Sequence, residues 1–160
     1  GFKLFIRIGA GHRADHAFPT DRGNAPAEIF IDPFGPHPHF RAQKRGSIVL
    51  VSSTAGIRGV VTNIAYQTVK GALPQLTRAL ARELADDDVR VNCIAPGVIR
   101  TRFHDQMSEQ QRRLNLEQRI PLHREGTPDQ VASAIVELAT NDYITGQTLV
   151  IDGGLTMRIA

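Results

Sequence analysis

From Arg45 onward, apolar positions alternate between two spacings. Residues 47–52 (SIVLVS) form a continuous apolar run, as expected of a parallel strand buried on both faces. Across residues 64–84, Ala65, Val69, Ala72, Leu73, Leu76, Leu80 and Leu84 recur every three or four positions and predict a long helix. Pro74 falls inside it, removes the hydrogen bond to the Lys70 carbonyl and predicts a kink. Residues 89–95 (VRVNCIA) predict a second buried strand, stopped by Pro96-Gly97. Residues 107–119 predict a polar, charged helix with few apolar anchors. Thr127-Pro128-Asp129-Gln130 is a helix start, with Thr127 as N-cap, proline in the first turn and Gln130 closing a capping box. Val131, Ala134, Ile135 and Leu138 form the buried stripe of that helix, and residues 148–151 (TLVI) a last short strand before Asp152-Gly153-Gly154. Strands alternating with helices predict an α/β layered fold with right-handed crossovers.

Residues 1–40 read differently. They hold six of the seven phenylalanines, four of the six histidines and five of the nine prolines. Only residues 3–8 (KLFIRI) resemble a strand, with a further short helical pattern near residues 25–31. The chain therefore divides into an atypical segment, 1–40, and a regular region, 41–160.

Length and composition narrow the class. At 160 residues, 41% hydrophobic and 22% charged, the chain suits one globular domain. Collagen-like, disulfide-framed and disordered readings are excluded. The lone Cys93 cannot form an internal disulfide, which favours a reducing, cytoplasmic setting. No apolar run spans a membrane and no signal peptide is evident. The net charge of +3 is scattered, so neither nucleic acid nor membrane is expected as a partner.

Candidate chemistry centres on three residues. Tyr66 and Lys70, four apart on one helix, share a face. A free phenol, with a pKa near ~10, is a poor proton carrier at neutral pH, and a neighbouring ammonium favours its ionised form. Bringing a phenol to pH 7 takes roughly 4 kcal/mol, more than one lysine supplies, so a cationic cofactor ring nearby would add to it. Ser53 ends a buried strand thirteen positions before Tyr66. Ligands bind at strand ends in parallel sheets, where a serine hydroxyl can hold a carbonyl oxygen.

Four stretches carry a resemblance: RGSIVLVSSTAG (45–56), YQTVKGAL (66–73), LTRALARELADDDVRVNCIAPGVIRT (76–101) and YITGQTLVIDGG (143–154). Their order and spacing resemble the C-terminal half of the short-chain dehydrogenase/reductase family. The resemblance implies a Rossmann-like parallel sheet with flanking helices, incomplete relative to the full family fold. It implies an NAD- or NADP-dependent oxidoreductase moving a hydride between the nicotinamide and a small carbonyl or secondary alcohol. In that family the serine orients the substrate oxygen, the tyrosine is the acid/base, and the lysine holds the nicotinamide ribose and lowers the tyrosine pKa. Ser53, Tyr66 and Lys70 match those positions. Pro96 and Gly97 would start the loop facing the nicotinamide, Ile99 would meet the carboxamide through backbone atoms, and Thr101 through its hydroxyl. Residues 102–119 match the variable substrate lid, where Arg102, His104, Arg112 and Arg113 could meet an anion, although a solvated face is the simpler reading. The family's paired long helices and last strand imply a homodimer or homotetramer, here through the helix 66–84, Leu149 and Ile151.

The first 40 residues depart from the family pattern. The TGxxxGxG turn, the Asn-Ala-Gly motif and the asparagine of the catalytic tetrad are not in register. Gly9-Ala10-Gly11 with Ala14 is a partial GxGxxA match lying 44 positions before Ser53. A truncated or frame-shifted product and a sequence assembled from parts of a longer protein are favoured over a genuine miniature. Exposed sheet edges in such a chain predict association. The competing expectation is a non-catalytic oligomerising remnant that binds no nucleotide. Metal binding at His12/His16 or His37/His39 lacks cysteine or carboxylate partners, and a serine-hydrolase reading lacks the G-x-S-x-G elbow.

Overall fold

The computed structural model describes residues 4–5, 40, 42–61, 64–101 and 107–157. The readings placed on residues 9–14 and 25–31, on His12, His16, His37 and His39, and on Arg102 and His104 lie outside them. Strands β1 (Leu4–Phe5), β2 (Gly46–Val51), β3 (Val89–Pro96) and β4 (Thr148–Ile151) pair in that order, every neighbouring pair parallel. The helices are α1 (Ile64–Glu83), α2 (Glu109–Leu114) and α3 (Pro128–Thr140).

Adjacent residues of a strand face opposite ways, and β2 uses both sides. Ile48 packs with Phe40, Val89 and Val91 and with Ala81 of α1. Val49 packs with Ile94 and Leu138, beside Val131, Ala134 and Ile135 of α3. Thus α1 covers one face and α3 the other, which explains why β2 is apolar at every position from Ile48 to Val51 and why β3 is apolar apart from Arg90 and Asn92 before Pro96.

This layout corrects the expectation of right-handed crossovers throughout. The path β2-α1-β3-α3-β4 advances in one direction across the sheet, yet its two helices lie on opposite faces. Two such crossovers have opposite hands, so one is left-handed. The usual preference comes from a twisted strand feeding directly into its helix. Here residues 97–127 separate β3 from α3, and the twist of β3 no longer dictates the return path.

Local chemistry accounts for the rest. Helix α1 runs through Pro74 and buries Leu73, Pro74, Thr77 and Ala81, while Ala65 and Ala72 of the expected stripe face outward. The polar helix expected over residues 107–119 is the short α2, capped by Ser108, followed by a π-helical turn Asn115–Arg119 that buries Asn115. Helix α3 starts with the expected capping box: Gln130 N donates to Thr127 Oγ1 (3.4 Å), and Thr127 N donates to Gln130 Oε1 (3.0 Å). Arg90 in β3 donates to the carbonyls of Leu138 (2.9 Å) and Ala139 (2.6 Å), holding the end of α3. Asn92 donates to the Ile144 carbonyl (2.7 Å) and accepts from Gln147 N (3.1 Å), setting the register of β4.

Candidate active site

The C-terminal ends of β2 and β3 lie side by side, and each carries part of the expected site. Strand β2 ends at Val51, followed by Ser52, Ser53 and a 3₁₀ turn, Thr54–Gly56. Ser53 caps that turn, its Oγ accepting from Ala55 N at 3.2 Å. This bond uses an oxygen lone pair and leaves the hydroxyl proton available to donate.

Tyr66 and Lys70 lie in the first half of α1, where the four-residue spacing brings them together as expected. Lys70 Nζ sits 5.8 Å from the centre of the Tyr66 ring, within cation–π range. The same ammonium donates to the Val51 carbonyl at 2.8 Å. Burial lowers the Lys70 pKa below its ordinary 10.5, a drop opposed by the nearby Cys93 thiol. Burial likewise pushes the Cys93 thiol up.

The turn bearing Ser53 rests directly on Lys70. A Cβ placed on Gly56 would lie 2.5 Å from the Lys70 carbonyl carbon and 2.6 Å from its oxygen. Only glycine allows that approach. Ser52, buried just before the turn, donates its hydroxyl to the Lys70 carbonyl at 2.7 Å. Neither residue stood out in the sequence beyond its place in SSTAG. The available signal was a glycine one turn after a strand end.

The other wall follows β3. Pro96 is its last residue, and Gly97 N donates to the Ile151 carbonyl at 3.0 Å. A Cβ on Gly97 would meet Asp152 Cβ at 2.7 Å, so the loop packs closely on the end of β4. Ile99 forms an isolated parallel bridge with Gly126. Its bonds run from Gly126 N to the Val98 carbonyl and from Arg100 N to the Gly126 carbonyl, both 2.9 Å. In such a bridge the amide and carbonyl of Ile99 itself point to the opposite side of the loop. Thr101 is exposed.

Glu125 is a second feature that the sequence reading missed. It is 8% exposed and forms ion pairs with Arg100 (3.4 Å) and with Arg112 of α2 (3.3 Å). One buried carboxylate thereby joins the loop after β3 to the helix beyond it. A cleft of about 510 Å³ opens beside Ile99, Gly126 and Asp152, but none of Ser53, Tyr66 or Lys70 lines it. Ser53 at the end of β2 and Tyr66 and Lys70 on α1 thus lie outside the lining of this cleft, which Ile99 of the loop after β3 shares. Among the described residues, no group of three His, Cys, Asp or Glu could hold a metal ion, and no helix is long and apolar enough to cross a membrane.

Comparison with known proteins supplies the family. The family model described as enoyl-(acyl carrier protein) reductase matches residues 36–156. A tropinone reductase homolog of Arabidopsis thaliana is 42% identical over 125 residues, covering 76% of this chain and 47% of the relative. The 3-oxoacyl-[acyl-carrier-protein] reductase of Thermotoga maritima is 42% identical over 122 residues, covering 75% and 49%. Among solved structures, a gluconate 5-dehydrogenase from Burkholderia cenocepacia, in complex with NADP and tartrate, superposes with a TM-score of 0.73 at 28% identity, covering 76% of this chain and 49% of that one. The 3-oxoacyl-[acyl-carrier protein] reductase from Brucella melitensis superposes with a TM-score of 0.72 at 33% identity, covering 76% and 46%. The chain spans about half the length of these proteins. The fold is the Rossmann-like layered sheet that the motifs implied. Sequence, strand order and the matched span agree: the chain belongs to the short-chain dehydrogenase/reductase family.

Proposed function

We propose that this chain carries the catalytic part of an NAD(P)-dependent oxidoreductase acting on a small carbonyl or secondary alcohol, with Ser53, Tyr66 and Lys70 as its reacting residues. One observation carries the reading: Lys70, anchored on the Val51 carbonyl, lies 5.8 Å from the Tyr66 ring at the strand end that also bears Ser53. The relatives' names support carbonyl reduction, and the NADP in the Burkholderia cenocepacia structure supports the cofactor class. Residues 41–160 are read as the catalytic region, with 1–40 as an atypical segment before it.

The residues present fit a nicotinamide nucleoside. Lys70 spends one of its three N–H donors on Val51 and keeps others for ribose hydroxyls. Pro96 and Gly97 open the loop, and the backbone of Ile99 and the hydroxyl of Thr101 would meet a carboxamide there. When bound, the nicotinamide supplies or takes up the hydride. Ser53 donates a hydrogen bond to the substrate oxygen, keeping its proton, and fixes the carbonyl. Tyr66 gives its phenolic proton to that oxygen during reduction and accepts it during oxidation. Lys70 keeps a cation beside the ring throughout.

Self-association belongs to the same reading. Ile64 of α1 is 80% exposed and Leu149 of β4 is 39% exposed, so apolar side chains of both elements face outward. A homodimer or homotetramer would cover them. The buried free thiol of Cys93 suits a reducing, cytoplasmic setting.

Titration with NADH and NADPH, following nicotinamide fluorescence, tests the reading. Saturable binding is expected, and a flat titration at millimolar cofactor favours the non-catalytic remnant. Tyr66→Phe should lower turnover by about 10²-fold or more with cofactor affinity little changed. Retained turnover refutes the role of Tyr66.

A further inference from the structure

We propose that Ser52 is a positioning residue for Lys70: its hydroxyl replaces the backbone donor that Pro74 removes from α1, and so seats the turn carrying Tyr66 and Lys70 against the end of β2. The inference rests on the reading of Tyr66 and Lys70 as the reacting pair.

In a regular helix the Lys70 carbonyl accepts from the amide of residue 74. Proline has no N–H, and its ring crowds that carbonyl. Pro74 is one of the buried residues of α1. The carbonyl is also covered, because the backbone of Gly56 lies close enough that an added Cβ would come within 2.6 Å of its oxygen. A carbonyl shielded in this way needs a protein donor, and leaving it unpaired is costly.

Ser52 supplies that donor at 2.7 Å from a side chain only 4% exposed. It is itself fixed to the sheet, its amide donating to the Ile94 carbonyl at 2.7 Å. The bonds run from β3 to Ser52 and from Ser52 to the backbone of α1. Lys70 is then gripped at both ends by consecutive residues of one strand end, its carbonyl by Ser52 and its ammonium by Val51. The ammonium contact restrains a flexible side chain. The carbonyl contact restrains the helix, and with it the height of Tyr66. The lowered Lys70 pKa agrees with an amine held in a buried place. Alanine at position 52 removes the donor. Alanine at position 74 restores the helical N–H and makes the Ser52 bond redundant.

The test is a double-mutant cycle of Ser52→Ala and Pro74→Ala on the whole chain, read by thermal unfolding. With Pro74 present, Ser52→Ala should lower Tm by roughly 3–6 °C. With Pro74→Ala it should lower Tm by less than half as much. Equal losses in both backgrounds overturn the inference. Should Ser52→Ala fail to fold, Pro74→Ala is expected to rescue it, and failure to rescue counts against the proposal.

The positioning role has its own readout. The chain holds three lysines, Lys3, Lys44 and Lys70. After ¹³C-methylation, Lys70 can be assigned by its loss in Lys70→Arg and titrated by NMR. Ser52→Ala should move its midpoint up toward 10.5, and adding Pro74→Ala should bring it back. A midpoint unmoved by Ser52→Ala reduces Ser52 to a structural bond and refutes positioning. Neither measurement needs cofactor or turnover, so their failure is distinct from that of the catalytic reading, which falls on the cofactor titration and Tyr66→Phe.

Discussion

Gly56→Ala places a methyl group where the backbone of α1 already lies. The new Cβ would meet the Lys70 carbonyl carbon at 2.5 Å, its oxygen at 2.6 Å and Gly71 N at 2.8 Å, against ordinary contacts of 3.4–4 Å. All three neighbours are main-chain atoms and cannot swing aside as a side chain would. The turn and the helix must part by about 1 Å, and overpacking of this kind costs about 1–3 kcal/mol. For a chain of this size that corresponds to a Tm lower by roughly 2–12 °C. The displacement falls between Ser53 on the turn and Tyr66 and Lys70 on the helix. Turnover should therefore fall by as much as about 10²-fold, beyond what lost stability explains. Gly59→Ala is the control, because nothing lies within 4 Å of a Cβ there. Circular dichroism melts of both variants, with turnover measured well below Tm, test the reasoning. A Gly56→Ala variant that melts with the wild type would refute it.

Three further outcomes follow from the geometry. Lys70 has a folded pKa below 10.5, so between that folded value and 10.5 the unfolded chain binds more protons and stability rises with pH. Lys70→Met should remove this rise, as seen in the difference between wild-type and variant urea unfolding across the alkaline range up to pH 10.5, and identical pH slopes would count against it. Glu125→Gln leaves Arg100 and Arg112 without their shared carboxylate, at a cost of about 1–2 kcal/mol because Arg100 stays largely exposed; an unchanged urea midpoint contradicts this. Thr127→Ala breaks the capping box of α3 and should cost about 1 kcal/mol, or a Tm lower by roughly 2–4 °C. A melt indistinguishable from wild type would show that the cap contributes nothing.

What could be read from the sequence was whatever depends on near neighbours. Strand β4 lies where TLVI placed it, α3 begins at its capping box, and Tyr66 meets Lys70 because four residues make about one helical turn. Readings that needed the third dimension went astray or missed their mark. Ala65 and Ala72 fit the apolar spacing of α1, yet they face outward while Thr77 is buried, because the sheet meets the helix along a line that spacing alone does not choose. Glu125 reads as one more surface acid until Arg100 and Arg112 arrive from elements 25 and 13 residues away in sequence. One of the two crossovers defied the expected hand because a long excursion separates β3 from α3. Pro74 lay between the two cases: its lost bond to Lys70 was plain from sequence, while the donor that replaces it came from a strand 18 positions earlier than Lys70.

The opposing hands of the two crossovers determine how much wall this sheet needs. Had both helices returned over the same side, Val49, Val51, Ile94 and Ile151 would form an oily floor open to water. Instead the chain wraps β2 and β3 from above and below with two helices. Among the described residues, the apolar faces of β2 and β3 are covered by these two helices, while β4 stands at an edge of the sheet and α1 leaves Ile64 exposed. Any neighbour that docks here is thus expected to extend the sheet or lie along the helix, not to complete its interior.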